Sequence, residues 1–145
     1  MSNSQRVAAA LAAATDTIAM EIGIGILDRL PHIFAEAFPN KKALVVADDN
    51  TWQAAGRAAY EYLTAAGIAC DEPYIFSADG LHAEWHYIDM LDARLAATDA
   101  IAVAVGSGTI NDLCKLSSYH NNRQYMCAAT AASVDGYSAY GASIT

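Results

Sequence analysis

Two glycines lie one residue apart directly after an apolar run, a pattern suited to phosphate binding. Residues 101–105 read IAVAV and continue into Gly106 and Gly108, and helical spacing begins near Thr109. Glycines allow a ligand to approach the backbone, and the amides and positive dipole end of a helix N-terminus attract anions. The turn lacks the Gly-Lys-Ser/Thr ending of a P-loop, and Asn111 occupies the place of a dinucleotide fingerprint's third glycine. By itself the turn fits a phosphate cradle and a tight turn without a ligand equally well.

Two acidic residues follow a second apolar run, at residues 43–47. Asp48 and Asp49 come where such a run ends, and an acidic side chain there can accept hydrogen bonds from an adenosine ribose and reject a 2′-phosphate. The alternative is a helix N-cap, because Asp49 precedes Asn50, Thr51 and a predicted helix. One carboxylate can serve both roles, so both stay open.

The histidines and cysteines favour neither a metal nor a redox site. His82 and His86 are four residues apart, as metal ligands on a helix can be, but HAEWH is not the HExxH motif and lacks a third ligand. A solvent-exposed helix face is the preferred interpretation. Cys70, Cys114 and Cys127 are widely spaced and form no CxxC pair, which indicates buried free thiols.

The elements that would position these residues alternate between strand and helix. Strands are predicted at residues 17–21, 43–47, 74–76, 100–105 and 125–129, and helices at 26–38, 52–66, 81–97 and 109–117. Strands that are apolar at every position, separated by amphipathic helices, require a parallel sheet covered on both faces. The sequence therefore predicts a doubly wound, Rossmann-like α/β domain. Ligands in such domains bind at the carboxyl ends of the strands, where the glycine turn and the two aspartates fall.

Length and charge exclude several classes of protein. The chain has 145 residues, enough for one domain, and with 54% hydrophobic and 17% charged residues it is too apolar to be disordered. No apolar run approaches the roughly 20 residues of a membrane helix. A net charge of -8 argues against binding to nucleic acid or to an anionic membrane. The alanine-rich first residues indicate a frayed helix rather than a targeting signal, so we expect a cytoplasmic protein.

Two segments together resemble the paired motifs of the sn-glycerol-1-phosphate dehydrogenase family, which belongs to the superfamily of iron-containing alcohol dehydrogenases, glycerol dehydrogenase and dehydroquinate synthase. GSGTINDLCK at 106–115 is similar to the family pattern GG(G/S)xxxDxxK, and TAASVDGY at 130–137 to TxxSxDGY. The matching residues are Gly106, Gly108, Asp112, Lys115, Thr130, Ser133, Asp135, Gly136 and Tyr137. IGIGILDRLP and VVADDNTW are similar to the family's first two strand-to-helix units, so the resemblance covers residues 17–145. The DGY ending favours the glycerol-1-phosphate branch, because glycerol dehydrogenases have TxxSxDAP there.

The resemblance implies roles for individual residues. The cofactor pyrophosphate would lie on the turn formed by Gly106, Ser107, Gly108, Thr109, Asn111 and Asp112. Thr130 and Ser133 would contact the nicotinamide half, and Asp135 the substrate. The sequence departs from the family at Ala129, where a proline is usual, and at Ala139, where a serine that contacts the cofactor is expected.

The resemblance also implies what this chain lacks. Family members continue with a helical domain that supplies a metal-binding Asp and two His, and none of these is present here. Residues 1–145 are therefore expected to be the NAD(P)-binding domain of a longer enzyme, with no catalytic or metal-binding residue of its own and no activity alone. The complete enzyme would use NAD or NADP and a divalent metal, zinc or similar, to reduce dihydroxyacetone phosphate, a small phosphorylated substrate, for phospholipid biosynthesis.

Two alternatives stay open. One is a sibling metal-dependent polyol or alcohol dehydrogenase, and the other is a stand-alone nucleotide-binding module without catalysis, which the short chain makes reasonable. Sequence leaves open the choice between NAD and NADP, the metal, and whether the protein is a homo-oligomer.

Overall fold

Helices and strands alternate along the chain largely as the sequence predicts. The computed structural model describes residues 1–130, 142 and 144–145. In chain order the elements are α1 (Asn3–Ala13), a 3-10 turn (Leu27–Arg29), α2 (Leu30–Ala37), β1 (Ala43–Asp48), α3 (Asp49–Thr51), a π-helical turn (Trp52–Gly56), α4 (Arg57–Ala65), β2 (Tyr74–Phe76), α5 (Trp85–Ala96), β3 (Ile101–Gly106), α6 (Gly108–His120) and β4 (Met126–Ala129). Helix α5 begins four residues later than predicted. None of the described helices is long and apolar enough to cross a membrane.

The strands described here form one parallel sheet whose order reverses direction in its middle. The order is β2-β1-β3-β4, with β1 paired to both β2 and β3. The chain leaves β1 for β2 on one side and then returns past β1 to β3 on the other. In open α/β sheets a crevice for ligands opens at such a switch point, outside the carboxyl ends of the two strands.

Alternate residues of the central strands point to opposite faces, and each face has its own core. The interior residues of β1 and β3 are buried, as strands covered on both faces must be. On one face Leu44, Val46, Ala102 and Ala104 pack against α5 and α6. On the other face Ala43, Val45, Ile101, Val103 and Val105 pack against α2 and α4. The predicted doubly wound α/β fold is confirmed.

Helix α6 packs so closely on β3 that the last residue of the strand must be glycine. A Cβ atom placed on Gly106 would lie 2.8 Å from Cβ and 2.9 Å from Cγ1 of Ile110. Ile110 is fully buried and its Cβ is attached to the helix backbone, so it cannot move away easily. The packing of helix on strand therefore requires this glycine, whatever ligand the turn binds.

The predicted strand at residues 17–21 is wrong. The chain between α1 and the 3-10 turn is irregular, and Ile18, Met20, Ile22 and Ile24 are exposed there. A β-branched, alternating sequence favours a strand, but an isolated strand cannot satisfy its backbone hydrogen bonds. None of the described strands pairs with this segment, so its β propensity is not realised.

A charged cluster ties the amino ends of the sheet strands together around Asp71. Lys42 Nζ lies 3.0 Å from Asp71 Oδ1, Arg94 Nη2 lies 3.6 Å from Oδ2, and the Thr98 hydroxyl donates to Oδ2 at 2.6 Å. Burial raises the pKa of the Asp71 carboxyl, but hydrogen bonds from Thr98 and Lys42 and the charges of Lys42 and Arg94 outweigh burial, so the pKa lies below its usual value. The ionised carboxylate therefore stabilises the folded state.

Replacing Asp71 is expected to make stability less dependent on pH. A depressed folded-state pKa contributes stability that is present above the unfolded pKa and lost as pH falls through the folded pKa. We expect Asp71→Asn to lower the free energy of unfolding by about 1–2 kcal/mol at pH 7. Urea titrations between pH 2 and 7 should show that the difference in unfolding free energy between Asp71→Asn and the wild type becomes smaller as the pH falls.

Asp99→Asn is the matched control for this prediction. Asp99 also approaches Lys42, at 3.5 Å, but its side chain is 76% exposed. Its loss should change stability by less than about 0.5 kcal/mol. A gap between Asp71→Asn and the wild type that is equally large at pH 2 and pH 7 would show that the carboxylate charge is not responsible.

Candidate nucleotide-binding site

The switch point of the sheet is flanked by two helical segments that begin at its carboxyl edge. Strand β1 ends at Asp48 and continues directly into α3, while β3 ends at Gly106 and is followed by α6. The segment after β1 belongs to the face covered by α2 and α4, where Trp52 packs, and α6 belongs to the opposite face. The two helix starts therefore lie on opposite faces of the sheet, at the carboxyl edge where the crevice of such a sheet opens.

The glycine turn leaves the start of α6 without a side-chain cap. Ser107 is the N-cap residue, with an extended backbone (φ -88°, ψ -168°), and its side chain makes no capping hydrogen bond. The first helical bond runs from Asn111 N to Ser107 O, at 3.0 Å. Ser107, Gly108 and Thr109 are partly exposed. Since Gly108 begins the helix, the structure has the short strand-to-helix turn that a phosphate cradle needs.

Thr130 lies beside this turn. Its backbone N–H donates to the Gly106 carbonyl at 3.0 Å, one residue beyond the end of β4. The structure thus brings together Gly106, Ser107, Gly108 and Thr130, which are distant in sequence. Ser133 and Asp135 lie outside the described residues, and their roles stay predictions.

Asn111 and Asp112 are placed differently from the turn itself. The Asn111 side chain is completely buried, and its Oδ1 accepts a hydrogen bond from the Tyr125 hydroxyl at 2.7 Å. Asp112 is partly buried on the next position of α6. Asn111 is thus directed into the interior between α6 and the start of β4. Contact of either side chain with a cofactor stays a prediction.

The carboxylates after β1 are engaged in local structure. Asp48 Oδ1 accepts from Thr51 N at 2.8 Å, and Asp48 N donates to Thr51 Oγ1 at 3.0 Å, which completes a capping box. Asp49 Oδ2 accepts from Ala78 N at 3.1 Å, in the loop after β2. The predicted N-cap role of Asp49 is therefore wrong, because Asp48 is the residue with extended backbone before the helix. A ribose contact from either residue stays a prediction.

Two features of this region are absent from the predictions made on the sequence. A π-helical turn lies between α3 and α4, and in it a Cβ on Gly56 would lie 2.9 Å from Trp52 Cε3 and 3.3 Å from Ala47 Cβ. Gly56 within a helical pattern was the only signal for this close packing on β1. The bond between Tyr125 and Asn111 had no sequence signal, because it joins two elements through the fold.

The thiols are uncharged and therefore poor nucleophiles. Burial raises the pKa of Cys114 well above its usual value, and burial raises that of Cys127 to about 12. Burial, assisted by the charge of Asp71, also raises the pKa of Cys70. All three are free cysteines, as the sequence predicts, but only Cys114 is fully buried, so the predicted burial is wrong for Cys70 and Cys127. His82 is exposed and paired with Glu84, Nε2 to Oε2 2.7 Å.

Comparison with known proteins decides the family. The sequence model described as iron-containing alcohol dehydrogenase matches residues 21–145. The chain belongs to this family. The predicted resemblance to this superfamily and to its glycerol-1-phosphate dehydrogenase branch is confirmed by this match together with curated relatives, most of which are named glycerol-1-phosphate dehydrogenase.

The relatives found in this family are longer than the chain. Glycerol-1-phosphate dehydrogenase [NAD(P)+] of Halalkalibacterium halodurans is 35% identical over an alignment of 132 residues that covers 86% of this chain and 32% of that protein. The enzyme of the same name from Methanoregula boonei is 29% identical over 124 residues, 85% of this chain and 32% of that protein. The chain therefore spans about a third of the length of these relatives.

Solved structures show the same fold. Glycerol dehydrogenase from Schizosaccharomyces pombe has a TM-score of 0.62 at 21% identity and covers 76% of this chain and 27% of its own. A probable glycerol dehydrogenase from Sinorhizobium meliloti has a TM-score of 0.61 at 22% identity, with coverage of 77% and 28%. The likeness shows that these two structures share the parallel α/β fold of this chain.

Two substitutions separate the capping role of Asp48 from any role of its charge. Asp48→Ala removes the acceptor for Thr51 N and should lower the free energy of unfolding by about 0.5–2 kcal/mol in urea titrations. Asp48→Asn keeps a capping oxygen and should stay within about 0.5 kcal/mol of wild type. Equal losses in both variants would show that charge, rather than capping, determines the contribution of Asp48 to stability.

Proposed function

We propose that residues 1–145 form the NAD(P)-binding domain of a glycerol-1-phosphate dehydrogenase-type oxidoreductase, which reduces dihydroxyacetone phosphate with NAD(P)H. The observation that carries this proposal is the glycine turn at the switch point, which joins β3 to a helix without a side-chain cap. Membership of the iron-containing alcohol dehydrogenase family and relatives named glycerol-1-phosphate dehydrogenase support it.

The turn solves the problem of holding an anion on an acidic protein. With a net charge of -8, the chain has no general attraction for phosphate, so the attraction must be local. Backbone N–H groups and the helix dipole supply it at Gly106, Ser107, Gly108 and Thr109. A tight turn of glycines also allows the two phosphates of the cofactor to come closer to the backbone N–H groups than they could if side chains covered the turn.

The remaining roles follow the order in which a dinucleotide would lie across the sheet. The adenosine ribose lies at the end of β1, near Asp48 and Asp49. The pyrophosphate lies on the glycine turn, and Asn111 and Asp112 follow this turn in α6. The nicotinamide half reaches Thr130 and Ser133. Asp135 accepts hydrogen bonds from the hydroxyl of the phosphorylated substrate. When bound, NAD(P)H supplies the hydride, and this chain orients it.

The metal that the family implies does not fit the residues described here. They contain no group of three His, Cys, Asp or Glu side chains able to hold an ion. We assign the metal, zinc or a similar divalent ion, to the remaining part of the complete enzyme and derive no step through it. The substrate partner is a small phosphorylated molecule, the proposed location is the cytoplasm, and homo-oligomerisation is left open.

A sibling activity is the second candidate. A 3-dehydroquinate synthase from Laribacter hongkongensis is 32% identical over an alignment of 98 residues that covers 65% of this chain and 27% of that protein. The glycine turn would serve a dinucleotide in either enzyme. The substrate side differs, so turnover of dihydroxyacetone phosphate by the complete enzyme separates the two.

Calorimetric titration of the chain with NADH, NADPH and ADP-ribose tests the proposal that this chain holds the ADP-ribose half of the cofactor, while the rest of the enzyme is needed to bury the nicotinamide. We expect NADH and ADP-ribose to bind with affinities within about threefold of each other, because a wall needed to bury the nicotinamide belongs to the rest of the enzyme. NADH binding at least tenfold tighter than ADP-ribose would show that this chain holds the nicotinamide by itself. Absence of binding by all three ligands would refute the proposed function.

Gly108→Val tests the phosphate cradle. A branched side chain on the first residue of α6 would stand where the pyrophosphate meets the backbone, and we expect ADP-ribose to bind at least tenfold more weakly. Gly108→Ala, which suits a helix, should show a smaller loss and retain the fold.

Ala93→Val is the control for added side-chain bulk. Ala93 is exposed on α5, so the same branched group there should leave ADP-ribose affinity unchanged. Circular dichroism and urea titration establish that each variant is folded. Unchanged affinity in folded Gly108→Val would remove the turn from the binding site.

A further inference from the structure

One partly buried hydrogen bond connects the start of α6 to the residue that precedes β4. The Tyr125 hydroxyl donates to Asn111 Oδ1 at 2.7 Å, across a sequence separation of 14 residues. Asn111 is completely buried in the first turn of α6, and Tyr125 directly precedes β4. We propose that Tyr125 is a positioning residue that fixes the glycine turn and the first turn of α6 against β4. The functional meaning of this proposal rests on the nucleotide-binding role proposed for the turn.

The chemistry of the pair fixes which group donates. A side-chain amide oxygen can only accept, so the phenol must supply the proton. Burial raises the pKa of Tyr125 well above its usual value, with smaller contributions from nearby Cys127, Cys114 and Asp112. The hydroxyl therefore keeps its proton, and the bond persists over the whole physiological pH range. It also orients the Asn111 amide in one of its two flipped states.

A second hydrogen bond joins the same two parts of the fold at the surface. Thr130 N donates to the Gly106 carbonyl at 3.0 Å, and Gly106 is in register with Ala129 in the ladder between β3 and β4. The glycine turn is thus connected to β4 at the carboxyl edge, and the helix that follows it is connected to β4 from inside. Together the two bonds set the separation between the turn and Thr130.

The rest of α6 has contacts of its own. Leu113 and Cys114 are buried in the core shared with α5, and the Ser117 hydroxyl lies 3.5 Å from the Ile88 carbonyl. These contacts hold the body of the helix against α5. The Tyr125 bond acts on the first turn, whose amides face the crevice. Its loss should therefore loosen the turn more than the helix.

Tyr125→Phe removes only the hydroxyl and is the decisive variant. We expect ADP-ribose to bind about five- to tenfold more weakly. We also expect the backbone N–H of Asn111, which donates to Ser107 O, to exchange with solvent about tenfold faster. Amide exchange at Val45, in the centre of β1, reports global stability and should change less than that at Asn111. Asn111→Leu should weaken binding similarly, and the double variant should be no worse than the weaker-binding single variant.

Tyr60→Phe is the matched control. Tyr60 is also partly buried, but it packs on the opposite face of the sheet, with its ring centroid 6.2 Å from that of Trp52. Loss of its hydroxyl should alter neither ADP-ribose affinity nor Asn111 exchange.

The outcomes separate this proposal from the proposed function. If Tyr125→Phe lowers only the melting temperature, with Asn111 exchange following that of Val45, the bond is merely structural and the proposal is overturned. Faster Asn111 exchange with unchanged ADP-ribose affinity also overturns the proposal, because the turn then binds the nucleotide equally well without the Tyr125 bond. If the wild type binds none of the nucleotides, the proposed function fails, while the exchange comparison still decides whether Tyr125 positions the turn.

Discussion

The close approach of α6 to β3 is the constraint on which the rest of the site depends. No side chain fits at Gly106, because a Cβ there would lie 2.8 Å from Cβ of Ile110. The strand can therefore turn directly into a helix whose start lies at the edge of the sheet. The same carbonyl that ends the strand accepts from Thr130, so β4 finishes beside the turn. One packing contact thus brings a helix N-terminus and a third segment to the switch point.

The favourable electrostatic interactions of the domain act at short range, at the two edges of the sheet, rather than through its net charge. Its charge of -8 repels anions at long range, so the phosphate binding that we propose would depend on oriented backbone dipoles. At the opposite edge of the sheet, Asp71 uses Lys42, Arg94 and Thr98 for stability, through contacts at 3.0, 3.6 and 2.6 Å. The amino ends of the strands are thus held by charged side chains, and the carboxyl ends expose backbone. This division suits a sheet whose carboxyl edge binds the ligand.

Family membership and geometry describe different parts of the function. The iron-containing alcohol dehydrogenase model covers residues 21–145, while the chain spans about a third of its glycerol-1-phosphate dehydrogenase relatives. The described residues include the glycine turn that we propose as a nucleotide cradle, whereas the proposed reduction of a ketone also needs a substrate site and charge stabilisation at the oxygen. In the proposed function, this domain is the part that would hold and orient the cofactor.

The sequence by itself determined the alternation of strands and helices, because uninterrupted apolar runs and helical periodicity are local patterns. It also located the glycine turn and Asp48 at the carboxyl edge, since parallel strands all end there. Only the tertiary structure decided that residues 17–21 form no strand, because a strand needs a partner that propensity cannot supply. The same holds for the burial of Asn111 and its bond to Tyr125, because they meet only when α6 packs beside β4.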